Sequence, residues 1–274
     1  MEKQFQRVSG RGYNQLRPLA ISYNVFGYAA GSVLFELGNT KILCSVTLQT
    51  GVPPFLKGSK RGWLTAEYAM LPTSSQQRVA REGSTGKRND RAIEISRLIG
   101  RCLRSVVDLS LLGERTIMVD CDVLEADGST RTAAITGAFL ALKLAQEHWM
   151  RTHQITASIL KNELVAVSAG MLNQSILLDL DYSEDSIIDA DYNFILTRDH
   201  KLIEIQGAAE KNAVSWDEFD KMKKVISAGV KDMFKAIDAS WQTKYNATLA
   251  IEQSTKEYSH TPLFSLKNRL QSAI

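Results

Sequence analysis

Apolar and polar positions alternate in short runs along the first half of the chain. They predict strands near residues 32–37 and 41–48, another near 64–70, and a longer one over 115–124. In the last of these, Ile117, Val119, Cys121 and Val123 alternate with Met118, Asp120 and Asp122, the period of a half-buried strand. The pattern changes to a helical period where apolar residues fall at 95, 98, 99, 102, 103 and 106. This predicts a helix from 91 to about 107, with Asp90 as N-cap and Arg91 at the first helical position. A second helix follows Asp127-Gly128-Ser129-Thr130-Arg131-Thr132. Ala133 to Trp149 is rich in alanine and apolar residues, with no glycine after Gly137 and no proline, so Ser129 or Thr130 reads as its N-cap. Further strands are predicted near 164–171, 175–180, 192–197 and 202–206. Ser215 with Glu218 forms a capping box opening a helix to about Trp241. Trp216, Phe219, Met222, Ile226, Val230, Met233 and Ile237 lie along one side of it, the side expected to face the core. Paired strands followed by helices indicate an α+β chain: one domain over 1–241, then a polar extension, 242–274, expected to be loose or docked on a partner.

Charge changes this picture at two helix mouths. Arg131 sits in a first helical turn, where a cation opposes the helix dipole by about 0.3–1 kcal/mol unless an anion lies between them. Arg91 repeats the anomaly, and two helices that both open on a disfavoured arginine point to one shared anion. The window from Arg78 to Arg104 is basic: Arg78, Arg81, Lys87, Arg88, Arg91, Arg97, Arg101 and Arg104 stand against Glu82, Asp90 and Glu94. A polyanion would need such a surface. The opposite charge is concentrated at Asp179, Asp181, Glu184, Asp185, Asp189 and Asp191, a stretch without a basic residue. Such a cluster repels itself unless a cation is shared, and carboxylates plus substrate phosphate are the usual hold on magnesium. An EF-hand does not fit: counted from Asp181, the sixth position is Ser186 and the twelfth Tyr192.

Together these blocks resemble the ribonuclease PH family of phosphorolytic exoribonucleases over about Gly10 to Trp241. The resemblance is carried by Gly10-Arg11, Gln15-Leu16-Arg17-Pro18, Gly31 to Leu34, Gly38-Asn39-Thr40, Gly62 to Pro72, Glu94 to Arg101, Leu112 to Ile117, Asp120 to Leu124, Thr130-Arg131-Thr132 and Glu204-Ile205-Gln206-Gly207. It implies a ribonuclease PH-like βαβ fold with left-handed crossovers, like domain 2 of ribosomal protein S5. The activity implied is phosphate-dependent 3′ to 5′ trimming of tRNA precursors, releasing nucleoside diphosphates. Arg91, Ser129, Thr130 and Arg131 would hold inorganic phosphate, the co-substrate. Asp185 and Asp191 would flank the scissile phosphodiester and hold a divalent metal, Mg2+, with one of them placed to protonate the departing 3′ oxygen. Arg78 and Arg81 would contact RNA and a neighbouring subunit in a homo-hexamer built as a trimer of dimers. The alternative is a catalytically silent, RNA-binding ring subunit of an exosome-like assembly.

Several positions depart from the family pattern. Ser129 stands where a second glycine is usual, so that phosphate contact there falls to its backbone N–H, with the hydroxyl as an addition. Asp90 replaces a common glycine beside the phosphate arginine, Thr73 a common RNA-contacting arginine, and Ala208, Ala209 and Lys211 a Thr-Gly-Glu series. Composition adds boundaries. A net charge of +3 fits a local basic patch and not a general polycation. The three cysteines, Cys44, Cys102 and Cys121, fall in strand or helix patterns, as buried reduced thiols of a cytoplasmic protein would. The four histidines are scattered, without a hydrolytic triad, and no apolar run reaches the length of a membrane span.

Overall fold

The computed structural model describes residues 6–81, Gly86 and 89–260, the last part (248–260) as helix backbone. Nine strands among them form two sheets. In the first, β1 (Leu19–Tyr23), β2 (Gly31–Leu37), β3 (Thr40–Thr50), β4 (Trp63–Met70) and β5 (Arg115–Glu125) lie in the order β1-β2-β3-β5-β4. All neighbours are antiparallel except β4 and β5, which run parallel because helix α1 (Asp90–Val106) carries the chain back between them. The second sheet is antiparallel, β7-β6-β8-β9, built from β6 (Leu164–Leu172), β7 (Ser175–Leu178), β8 (Ala190–Thr197) and β9 (Leu202–Ala209). Every strand expected from the alternation is present. β1 is the addition: its alternating pattern is short and half-exposed, which leaves little periodic signal.

Helix α2 (Thr130–Arg151) packs against β2 and β3 on one side and β6 on the other. A helix between two sheets has no solvent face, and residues 132–142 are buried without interruption. Gly31 is where β2 meets it: a Cβ there would lie 2.2 Å from the carbonyl oxygen of Ala141. Cys44, Cys102 and Cys121 are all buried free thiols.

Two boundaries differ from expectation. Asn89, not Asp90, caps α1, its side chain accepting from the Arg91 amide at 2.9 Å. Asp90 therefore occupies the first turn, where its charge suits the dipole, and Arg91 moves one position inward. The helix opened by Ser215 and Glu218, α4 (Trp216–His260), runs well past Trp241. No glycine or proline interrupts the sequence between Gly229 and Pro262, so nothing local stops it earlier. Residues up to Ala236 form one compact unit and those from Ile237 another. Met222, Ile226, Val230 and Met233 are buried as the stripe implies, but Trp216 is 83% exposed, lying beyond the edge of the core. Residues 261–274 of the polar extension, with Lys87 and Arg88 of the basic window, lie outside the described residues.

Candidate active site

A cleft of about 1030 Å³ opens where the mouths of α1 and α2 meet the second sheet. Arg91, Ser129, Thr130, Arg131, Asp185 and Asp191 all line it. Residues up to a hundred positions apart are thus brought to one surface, and the reason is local at each element.

The α2 mouth is built by two consecutive left-handed residues, Gly128 (φ 74°) and Ser129 (φ 55°). Gly128 has no alternative: a Cβ would lie 2.6 Å from the Leu180 carbonyl oxygen and 2.8 Å from the Tyr182 nitrogen. This contact seats the turn on the segment that bears Asp185. Ser129 precedes the helix without a side-chain cap. Its hydroxyl donates to the Leu180 carbonyl (2.7 Å) and meets the Ser168 hydroxyl (2.6 Å), which accepts from the Leu180 amide (3.1 Å). The hydroxyl is therefore used to tie the turn to its neighbours, and the addition expected of it toward phosphate is not how it is engaged. The first-turn backbone N–H groups stay uncapped by it.

Beside them, Tyr68 on β4 donates to the Thr130 hydroxyl at 3.0 Å, leaving the Thr130 proton to donate onward. Burial pushes the Tyr68 phenol up, keeping it a neutral donor. Arg131 gives one guanidinium nitrogen to Glu94 of α1 (2.8 Å), while its Nε is buried and has no hydrogen-bond partner. An unpaired buried N–H on a guanidinium, at an uncapped helix mouth, fits an anion. Glu94 was not singled out by the sequence; its position one turn after Arg91 was the available signal. Asp90 is exposed and is not among the residues lining the cleft.

The carboxylates divide into two groups. Arg7, fully buried, forks onto Glu184 with both contacts at 2.6 Å and also donates to the carbonyls of Leu178 and Asp179. Arg17 binds Asp179 through its guanidinium (2.7 and 3.0 Å), and Arg11 reaches Asp179, Asp181 and Glu184 at 3.4–3.6 Å. Asp189 lies 3.8 Å from Lys211. The charge that lacks a basic neighbour in sequence is thus met by the N-terminal segment, 177 residues away in the chain for Arg7 and Glu184. Asp181 and Glu184 also form a reciprocal capping box for the single helical turn α3 (Tyr182–Asp185), which presents Asp185. Burial alone would raise Asp181, but hydrogen bonds from Ser183 and the Glu184 amide, with Arg11 and Arg17, hold it below the usual range.

Asp185 and Asp191 behave oppositely. Asp191 is the second residue of β8, paired with Gly170 on β6 and Ala208 on β9. Desolvation in the cleft, then Asp191, push Asp185 up; desolvation, then Glu210, push Asp191 up, with Arg91 and Arg131 partly offsetting both. Two carboxyls raised chiefly by burial in one cleft are suited to holding a proton or sharing a cation. Among the described residues no group of three or more His, Cys, Asp or Glu side chains forms a metal cage. Asp185 and Asp191 offer carboxylate oxygens, the ligand type that hard cations take.

The basic residues of the preceding loop are apart from this cleft. Arg81 lines a second cavity of about 470 Å³ shared with Arg91, and Arg78 is exposed and lines neither. No helix among the described residues is long and apolar enough to cross a membrane.

The same architecture occurs in solved structures. Rrp46 of rice (Oryza sativa) is 21% identical, with 84% of this chain and 97% of that one covered at a TM-score of 0.68. An Archaeoglobus fulgidus exosome with RNA bound to its active site matches at 22% identity, 85% and 92% coverage and a TM-score of 0.73. An archaeal exosome core matches at 22%, 83% and 89%, and 0.67. At these identities the likeness establishes the ribonuclease PH-like fold. Family models reach further: residues 15–147 match domain 1 of the 3′ exoribonuclease family and residues 162–229 match its domain 2. With both domains matched in order over most of its length, the chain belongs to the 3′ exoribonuclease family, of ribonuclease PH type.

Proposed function

We propose that the protein is a phosphate-dependent 3′ to 5′ exoribonuclease that trims tRNA precursors and releases nucleoside diphosphates. The observation that carries this reading is the buried, unpaired Nε of Arg131 in a cleft shared by Arg91, the α2 mouth, Asp185 and Asp191. In the proposed reaction, an oxygen of inorganic phosphate attacks the terminal phosphodiester. The bond to the departing 3′ oxygen breaks, and that oxygen takes a proton. Arg91, Arg131 and the backbone N–H groups after Gly128 bind the phosphate and offset the repulsion between two anions. Thr130 orients it through its hydroxyl. Asp185 or Asp191, both held above the ordinary carboxylate range, carries the proton. A divalent cation bound at Asp185 and Asp191 would supply further charge neutralisation.

Arg78 and Arg81 are assigned to RNA contact, in a closed homo-hexamer arranged as a trimer of dimers. Support for a ring comes from the family and from exosome assemblies among the similar structures. One observation favours a second reading, a silent RNA-binding ring subunit: Glu94 already occupies part of Arg131. A tRNA carrying extra 3′ nucleotides, incubated with and without phosphate, decides between them. Nucleoside diphosphates formed only with phosphate support the enzyme; bound but unshortened RNA supports the silent subunit.

A further inference from the structure

Gln206 lies on β9 directly opposite Asn193 of β8, two residues along from the pair formed by Asp191 and Ala208. Side chains alternate along a strand, so Gln206, Ala208, Asp191 and Asn193 share one face of the sheet, and all four line the cleft. The side-chain oxygen of Gln206 is sealed from water and receives no hydrogen bond. A buried amide oxygen without a donor costs free energy, and such atoms are scarce in native proteins unless a ligand completes them.

The missing partner is a hydrogen-bond donor beside Asp191. On the proposed reading of the cleft, the scissile phosphodiester offers acceptors only. The nearest donor on the same substrate is the 2′-hydroxyl vicinal to the departing 3′ oxygen. A hydroxyl both donates and accepts, so it satisfies the amide whichever way round its two ends lie. We propose that Gln206 is a substrate-contacting residue that reads the 2′-hydroxyl of the penultimate ribose and so restricts this cleft to RNA. This inference rests on the phosphorolytic reading, but it concerns a contact that binding alone can report.

The test uses two oligoribonucleotides that differ by a single 2′-deoxy substitution at the penultimate nucleotide, with the full chain and its Gln206→Leu and Gln206→Met variants. The unbranched methionine keeps the length of the side chain if leucine does not fit. The parent protein is expected to lose about tenfold in kcat/KM on the deoxy substrate, and the variants less than about threefold. Fluorescence anisotropy with the same oligonucleotides, in EDTA and without phosphate, is expected to show the same loss of discrimination. Equal slowing on both substrates would overturn the proposal. So would a weakened phosphate dependence with the ribose preference intact, which would assign the orphan oxygen to a proton of inorganic phosphate. If no oligonucleotide is phosphorolysed, the phosphorolytic reading fails, and anisotropy still decides whether Gln206 distinguishes the two sugars.

Discussion

Ser129 allows backbone strain and hydrogen bonding to be separated at one residue. Its φ of 55° and ψ of 27° are left-handed, which costs a residue with a Cβ about 1–2 kcal/mol relative to glycine. Against this cost its hydroxyl makes the contacts to Leu180 and Ser168, at 2.7 and 2.6 Å. Each is worth about 1 kcal/mol net, and more if the buried partner is left unsatisfied. Ser129→Ala keeps the strain and loses both bonds, so it should destabilise the protein by about 2–3 kcal/mol. Ser129→Gly loses the same bonds but relieves the strain, and should be about 1 kcal/mol more stable than the alanine variant. Urea unfolding of the three proteins measures both differences. Neither substitution removes a first-turn N–H, so phosphate saturation should change less than in Arg131→Ala. If the glycine variant were no more stable than the alanine variant, the left-handed turn would be refuted. If both matched the parent, the hydroxyl contacts would be.

Arg91→Ala and Arg131→Ala should each weaken phosphate saturation severely while the protein stays folded, because both arginines oppose their helix dipoles; unchanged saturation curves in both would remove the shared anion site. Asp185→Asn and Asp191→Asn should suppress turnover more than RNA binding, which gel shifts and product assays on the same preparations separate. Both carboxyls are raised in the fold, so the folded protein binds more protons than the unfolded chain just above the ordinary aspartate value, and stability falls as pH rises through that interval. In EDTA at pH 7 the asparagine variants should therefore melt higher than the parent, an advantage that disappears below about pH 4. Added Mg2+ should raise the melting temperature of the parent and not of the variants. Arg7→Met leaves Glu184 charged and buried, and should cost about 3–5 kcal/mol in equilibrium unfolding; a loss under about 1 kcal/mol would show that the pair is not buried as described.

Much of this architecture was legible in the chain. β5 announces itself by Ile117, Val119, Cys121 and Val123, and α2 by an alanine-rich run that no sheet strand would carry. Both helix-mouth arginines were found from their conflict with the dipole, and the cleft contains both. What the chain could not display is pairing across distance. Asp179, Asp181 and Glu184 look like an unsatisfied cluster because Arg7, Arg11 and Arg17 are supplied from the far end of the chain; with these three set aside, and Asp189 beside Lys211, Asp185 and Asp191 remain. Ser129 misleads for a related reason. Serine before a helix signals a cap, but at a positive φ its hydroxyl points to other partners. Gln206 stands in a motif visible in sequence, yet its significance is an unpaired atom, which no pattern of residue types records.

The central claim is that phosphate, not water, cleaves the chain end. Inorganic phosphate carrying a radioactive phosphorus, incubated with the protein and a tRNA bearing a 3′ extension, tests it most directly. Nucleoside diphosphates labelled at the β position, in amounts matching the nucleotides removed, are the predicted result. Unlabelled nucleoside monophosphates, or no shortening of RNA that the protein demonstrably binds, would contradict it.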